Sequence, residues 1–307
     1  SGGVCVEDTF HVYGGFGANG TVAPTDVHGD LWRYDGGWIQ LPTPGPYPAR
    51  YPSLCAHGSG FHLFGGCTVT NKRASFSNEL WWFDSSAWTR QEPRAGDLPE
   101  PRYTSALGRV ADHLVLFGGN SQDRNQGKHF YGDVWVFSLS GMTWERVHGP
   151  EQGPGPRYGF GWAANGDRLY VFGGFDGQSD RGDLWLLHMN SLTWELLAEE
   201  GSADAPPPRY CPALGVVNDD MVLFGGRSKV SPKVNYADTW RYSGRWERID
   251  NAPGPVYHAK PAYASDNKRL WIFGGESSNG HISDLWMYDA NGWRQQHPPR
   301  NDDPLLW

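Results

Sequence analysis

Short apolar runs separated by polar loops fill the chain, and the same run returns six times. Phe61-His62-Leu63-Phe64, Leu114-Val115-Leu116-Phe117, Tyr170-Val171-Phe172, Met221-Val222-Leu223-Phe224 and Leu270-Trp271-Ile272-Phe273 each end in two glycines. The pairs are Gly14-Gly15, Gly65-Gly66, Gly118-Gly119, Gly173-Gly174, Gly225-Gly226 and Gly274-Gly275, a spacing of roughly 50 residues. Runs this short predict strands. A small apolar strand precedes each such run, for example Ala213-Leu214-Gly215-Val216-Val217. Turn residues such as Asn165-Gly166-Asp167 and Asn218-Asp219-Asp220 join the two, because Asn, Asp and Gly tolerate left-handed backbone. A third strand reads acid, apolar, Trp: Asp30-Leu31-Trp32, Glu79-Leu80-Trp81, Asp133-Val134-Trp135, Asp183-Leu184-Trp185, Asp238-Thr239-Trp240 and Asp284-Leu285-Trp286. A fourth carries Trp38, Trp88, Trp144, Trp194, Trp246 or Trp293. Twelve of the sixteen tryptophans therefore sit at repeat positions, which predicts packing between successive units.

Composition changes this picture little. Apolar content is only 38%, but 16 Trp, 14 Tyr and 14 Phe supply large buried areas. A net charge of −8 argues against a nucleic-acid binder. No apolar run of about 20 residues predicts a membrane span. No leader-like apolar stretch is legible at Ser1, and a cytoplasmic location is the expectation. Cys5, Cys55, Cys67 and Cys211 lack metal or disulfide-framework spacing and read as buried thiols. Asn19-Gly20-Thr21 fits a glycosylation acceptor, a triplet that also arises by chance.

Glycine pairs and two tryptophan positions in six copies resemble the kelch repeat, over essentially the whole chain. The resemblance implies an all-β fold: a six-bladed kelch β-propeller with four antiparallel strands per blade around a central channel, forming a single domain over residues 1–307. Ser1–Val6 reads as a first strand without its lead-in. Pro298-Pro299-Arg300 repeats the lead-in Pro207-Pro208-Arg209 and is expected to arrive beside Ser1. Kelch families include galactose oxidase, sialic-acid epimerases, plant specifier proteins and protein-interaction domains, so fold alone does not give function.

Strand alternation puts each lead-in and the loop after each glycine pair at the same end of a blade. Those loops, 16–29, 67–78, 120–132, 175–182, 227–237 and 276–283, are long and unlike one another, whereas the opposite turns are short. The lead-ins read Arg50-Tyr51, Arg102-Tyr103, Arg157-Tyr158, Arg209-Tyr210 and, breaking the pattern, Val256-Tyr257-His258. Four Arg and five Tyr are expected at the channel mouth. The arginines either face a ligand or pin neighbouring loops through backbone carbonyls. The residues after the glycine pairs also diverge, and Asn120, Arg227 and Glu276 add polar groups there. Tyr257, His258 and Glu276, with Tyr158, make a candidate acid–base set. Arg50, Tyr51, Arg102, Tyr103, Arg157, Arg209, Tyr210, Arg227 and Asn120 make a candidate binding fringe. Galactose oxidase holds copper through tyrosines, a Tyr-His pair and a further His from a separate domain. Tyr257-His258 resembles that pair, but no other His stands at a lead-in, so neither copper nor another cofactor is expected.

Two functions follow. The first is metal-free lyase, isomerase or cyclase chemistry on a small polar or anionic molecule, possible in natural-product biosynthesis and similar to galactose-oxidase-like enzymes without copper. The alternative is a protein-interaction module in which the same Arg/Tyr face grips an acidic or C-terminal peptide.

Overall fold

A computed structural model describes residues 1–17, 26–70, 73–123, 127–149, 151–230, 232–249, 262–277 and 280–297. Among them every regular element is a strand. Six antiparallel sheets of four strands, numbered here as blades 1 to 6, follow one another along the chain and define a six-bladed kelch β-propeller fold. Blade 3 is representative: Ala106–Val110, His113–Phe117, Val134–Ser138 and Thr143–His148, paired in that order. The loops after the glycine pairs of blades 2 and 3 each fold into a further hairpin, Cys67–Thr70 with Arg73–Phe76 and Asn120–Asp123 with Gly127–Phe130. The expected lead-in at Pro298-Pro299-Arg300 lies outside the described residues.

The chain divides into two compact units, Ser1–Tyr158 with His188–Thr193, and Gly159–Leu187 with Trp194–Trp307. Within each, cores lie between successive blades, as the tryptophan pattern predicts. In four blades the fourth-strand Trp packs on the aromatic residue just before the glycine pair of the preceding blade. In the first unit Trp88 meets Tyr13 and Trp144 meets Phe64, both with ring centroids 5.5 Å apart. In the second Trp246 meets Phe172 at 5.4 Å and Trp293 meets Phe224 at 5.0 Å. Tilted aromatic pairs of this kind add about 0.5–1.5 kcal/mol beyond their buried area.

The glycine pairs have a steric cause. Gly65 and Gly66 have φ of +68° and +104°, and a Cβ on Gly65 would lie 2.5 Å from the carbonyl oxygen of Arg102, in the lead-in to the next blade. The Gly66 N–H donates to that same carbonyl at 2.9 Å. A side chain would strain the turn and push the blades apart. All four cysteines are buried and free.

Two buried histidines lie on the second strands of blades 1 and 2. His62 stacks against His57, with Nδ1 of His57 3.1 Å from Nε2 of His62. His11 packs against Phe61. The Nδ1 atoms of His11 and His62 are buried without a hydrogen-bond partner, so an added proton would have no acceptor. Burial, then Arg33, pushes His11 down to about 4, with weaker opposing pulls from the Thr9 backbone and Asp35. Burial, then His57 and Arg109, pushes His62 down to about 3. Both rings are neutral when folded but protonate near 6.5 when unfolded. Their contribution is complete above pH 6.5 and declines as pH falls towards the folded values, by about 1.4 kcal/mol per pH unit for each ring. Denaturant midpoints should therefore drop steadily from pH 7 to 4.5, and His62→Gln should flatten that slope. A variant slope equal to the wild-type slope would refute this assignment.

Candidate functional site

The lead-in arginines are divided by their geometry. Arg102 has no exposed surface. Its Nε donates to the Glu100 carbonyl at 3.0 Å and Nη1 to the Gly118 carbonyl at 3.2 Å. Nη1 and Nη2 grip the two Asp133 carboxylate oxygens at 2.6 and 3.1 Å. The Trp135 indole N–H donates to Asp133 at 2.7 Å, and the guanidinium lies 3.9 Å from the Tyr131 ring centre. Blade 5 repeats the device with Arg209, the carbonyls of Pro207 and Gly225, Asp238, Trp240 and Tyr236. Burial alone would raise the pKa of Asp133 and Asp238, but the arginine hydrogen bonds and charge outweigh it and hold both below the usual carboxylate range.

Acid and Trp stand two apart because residues i and i+2 of a strand share a face. The same indole bond forms from Trp32 to Asp30, Trp81 to Glu79 and Trp185 to Asp183. This function of the acid–apolar–Trp string was not read from the sequence. Nor was that of Tyr131 and Tyr236, although Tyr131-Gly132-Asp133 and Tyr236-Ala237-Asp238 repeat a signal. Arg157 is 2% exposed and donates through Nη2 to the Pro154 carbonyl. Of the two roles open to the lead-in arginines, pinning is the one seen at Arg102 and Arg209.

Blade 2 corrects the alignment. Arg50-Tyr51 does not correspond to Arg102-Tyr103 but is displaced by one residue. The carbonyls that accept from the second glycine of the preceding blade are those of Ala49, Arg102, Arg157 and Arg209. The residues bridged to the first position after the glycine pair are Arg50 to Cys67, Tyr103 to Asn120 and Tyr210 to Arg227. Positive φ then falls on Tyr51, Thr104 and Cys211. Counting from Pro48, Pro101 and Pro208, rather than from the Arg-Tyr pair, gives the observed register. Arg50 thus takes the position that tyrosine holds elsewhere. In place of the missing guanidinium, the Tyr47 hydroxyl donates to the Gly65 carbonyl at 2.8 Å, and Glu79 pairs with Arg90 at 3.0 Å.

The tyrosines form aromatic stacks with the loop hairpins. Tyr103, half-buried, lies between Tyr51 at 6.2 Å and Phe76 at 5.3 Å. Tyr158, buried, stacks on Phe130 at 5.3 Å with the rings 4° from parallel. Tyr210 is buried and accepts from Arg227 Nε. Asn120 is 1% exposed and accepts from the Thr104 hydroxyl at 2.9 Å, so its side chain supports the turn. Tyr257 and His258 lie outside the described residues. Glu276 is placed only as a strand position opposite His281. Of the candidate acid–base set, only Tyr158 has a described side chain. A cavity of about 650 Å³ opens elsewhere, between residues 197–205 and the outer strands of blade 5, lined by Leu197, Asp204, Trp240, Tyr242, Trp246 and Arg248 among others.

Beyond the pinned arginines, this end of the blades is rich in cations. Four of the six lysines, Lys72, Lys128, Lys229 and Lys233, lie in loops after glycine pairs. Loops 67–78 and 227–237 contain Arg or Lys and no acid, in a chain of net charge −8. Arg73, Lys128 and Lys233 are exposed.

The repeat architecture has a family counterpart. Residues 51–252 match the family model described as the KLHDC2/KLHL20/DRC7 Kelch-repeats domain, and the chain belongs to this kelch-repeat family. It is 27% identical over 235 residues to Tip elongation aberrant protein 1 of Schizosaccharomyces pombe, covering 72% of this chain and 20% of that protein. It is 23% identical over 265 residues to the Leucine-zipper-like transcriptional regulator 1 homolog of Drosophila melanogaster, covering 82% and 27%. It is 32% identical over 206 residues to Serine/threonine-protein phosphatase BSL2 of Arabidopsis thaliana, covering 64% and 20%. The chain thus spans 20–27% of the length of these relatives.

Removing a pin leaves a buried carboxylate uncompensated. Arg102→Ala and Arg209→Ala should each destabilise by about 3–5 kcal/mol. Arg50→Ala should cost less than about 1 kcal/mol. Thermal and denaturant melts of the three variants check this ordering. An Arg50→Ala loss equal to that of Arg102→Ala would overturn the one-residue displacement.

Proposed function

We propose that this chain is a protein-interaction module that holds an acidic peptide segment against the loops following the glycine pairs. The observation that carries the reading is the excess of cations on those loops in a chain of net charge −8, set beside half-buried aromatic stacks. Cationic loops attract and orient an acidic partner, and aromatic rings give it area to bury. Similar segments occur in proteins named as a phosphatase, a transcriptional regulator and a tip elongation protein. What those names share is not a reaction, which favours binding over catalysis for the common part. The small-molecule enzyme reading has weaker support, since the names of these relatives share no reaction.

Selection of a random 16-residue phage-displayed peptide library on the immobilised chain tests the proposal. Acid-bearing sequences should be enriched, and their binding should weaken as salt rises. The triple variant Arg73→Glu, Lys128→Glu, Lys233→Glu should lose affinity by about tenfold or more, with melting temperature unchanged because all three side chains are exposed. Absence of any enriched peptide, together with a melting shift caused by metabolites smaller than about 1 kDa, would favour the enzyme instead.

A further inference from the structure

Blades 2, 3 and 4 carry the same cap on their outer edge. The carbonyl two residues before the fourth-strand Trp accepts a hydrogen bond from the segment that arrives from the preceding blade. In blade 2 the Thr43 hydroxyl donates to the Ser86 carbonyl at 2.9 Å. In blade 3 the Arg94 N–H donates to the Met142 carbonyl at 2.8 Å, and Ala95 bridges Thr143 in parallel. In blade 4 Nε2 of His148 donates to the Leu192 carbonyl. Blade 5 makes the same kind of turn: Met142, Leu192 and Gly244, each two residues before the Trp, have φ of +53°, +56° and +89°.

Blade 5 nevertheless breaks the series. Among the described residues nothing donates to the Gly244 carbonyl. The arriving segment, residues 199–205, is held elsewhere. Glu200 pairs with Arg181 at 3.0 Å and accepts from the Gly182 N–H at 3.0 Å, both on the third strand of blade 4. The Ala205 N–H donates to the Ser202 carbonyl at 3.1 Å and closes a turn. Between this folded segment and the edge of blade 5 lies the cavity of about 650 Å³, lined by Gly244, Arg245 and Trp246 on one side and by Ser202 and Ala203 on the other. Counting back from Pro101-Arg102 and Pro208-Arg209, Arg94 and Ala95 correspond to Gly201 and Ser202. The cavity therefore stands where blade 3 is covered by its own chain.

We infer that this cavity is a docking site for an extended segment of a partner protein, which lies along Trp246–Ile249 and donates a backbone N–H to the Gly244 carbonyl. An outer strand with an open edge is a template for added chain, and main-chain hydrogen bonds supply the affinity. Blade 3 defines the chemistry of the occupant, because there the covering group is polypeptide backbone. A small residue belongs where the segment crosses the Trp. On blade 3 that residue is Gly96, and a Cβ on it would already lie 3.4 Å from the Trp144 carbonyl oxygen. Trp246 and Tyr242, edge to face at 5.2 Å, give the segment an aromatic wall to bury. This site is separate from the acidic-peptide reading: it uses the outer edge of a blade, not the loops after the glycine pairs.

The test offers blade 5 the cover that blade 3 has. A synthetic peptide with the sequence of residues 91–99, carrying a benzophenone at its N-terminus, is irradiated with the full chain, and the cross-linked positions are mapped by mass spectrometry. Cross-links should concentrate in residues 199–205 and 243–249. Methylating the backbone nitrogen of the peptide's arginine removes the donor and should lower the yield about tenfold. Ala203→Trp, which fills the cavity from an exposed position, should cause a comparable loss, and Ala203→Ser should cause none. The triple variant Arg73→Glu, Lys128→Glu, Lys233→Glu should cross-link as the wild type does, which separates this site from the loops. Absence of cross-links, cross-links concentrated elsewhere, an equal yield from the methylated peptide, or a yield unchanged in Ala203→Trp would each overturn the inference. So would a dimer in sedimentation velocity whose two copies cross-link at this cavity, since the occupant would then be a second copy. None of these outcomes bears on the acidic-peptide reading, which is decided by library selection.

Discussion

A buried guanidinium joined to a buried carboxylate is the constraint on which blades 3 and 5 depend. Neither ion could stay in the interior alone, since an isolated charge there is very costly. Arg102 directs four hydrogen bonds to three places: its own lead-in at Glu100, the glycine turn at Gly118, and the third strand at Asp133. The indole of Trp135 meets another acceptor site on the same carboxylate. One side chain thereby fixes three segments distant in sequence. It also fixes where the chain leaves the blade, because the next lead-in is hydrogen-bonded to the second glycine of the turn. Packing of Trp144 on Phe64 and of Trp293 on Phe224, each the aromatic before the preceding glycine pair, joins the same blades through their cores.

The clamp also determines what remains for recognition. Arg102 and Arg209 are wholly buried and their donors are directed inward, so they are support rather than contact surface. Exposed positive charge comes from the loops instead, from Arg73, Lys128 and Lys233. Such a division suits a binding surface: a rigid base sets the backbone positions, and the exposed side chains of the loops supply the variable chemistry.

Architecture was legible because it is written six times. Glycine pairs, turn residues and paired tryptophans each reflect a local demand that recurs in every blade, and repetition separates demand from accident. The site was less legible because one string can perform two jobs. Arg50-Tyr51 and Arg102-Tyr103 are identical in letters, yet Arg50 stands where Tyr103 does and Ala49 stands where Arg102 does. Only the preceding proline records the displacement. Likewise Asp133 and Asp238 looked like strand starters, and nothing local announces that their partner is an arginine about 30 residues upstream.

The exception in blade 2 shows which part of the clamp is indispensable. There the guanidinium is absent, but its duties are not. Tyr47 satisfies the glycine-turn carbonyl, Trp81 still donates to the acid, and Arg90 from the outer strand neutralises it. What persists in blades 2, 3 and 5 is therefore the satisfaction of a buried carbonyl and a carboxylate, not one particular ion pair. This agrees with the general weakness of buried ion pairs as stabilisers compared with the large cost of leaving one member alone. Once Tyr47 serves the carbonyl, the lead-in no longer needs arginine at position 49. The arginine at position 50 then takes the place held by tyrosine in blades 3 and 5, and a change in how the core is satisfied alters the chemistry at that end of the blade.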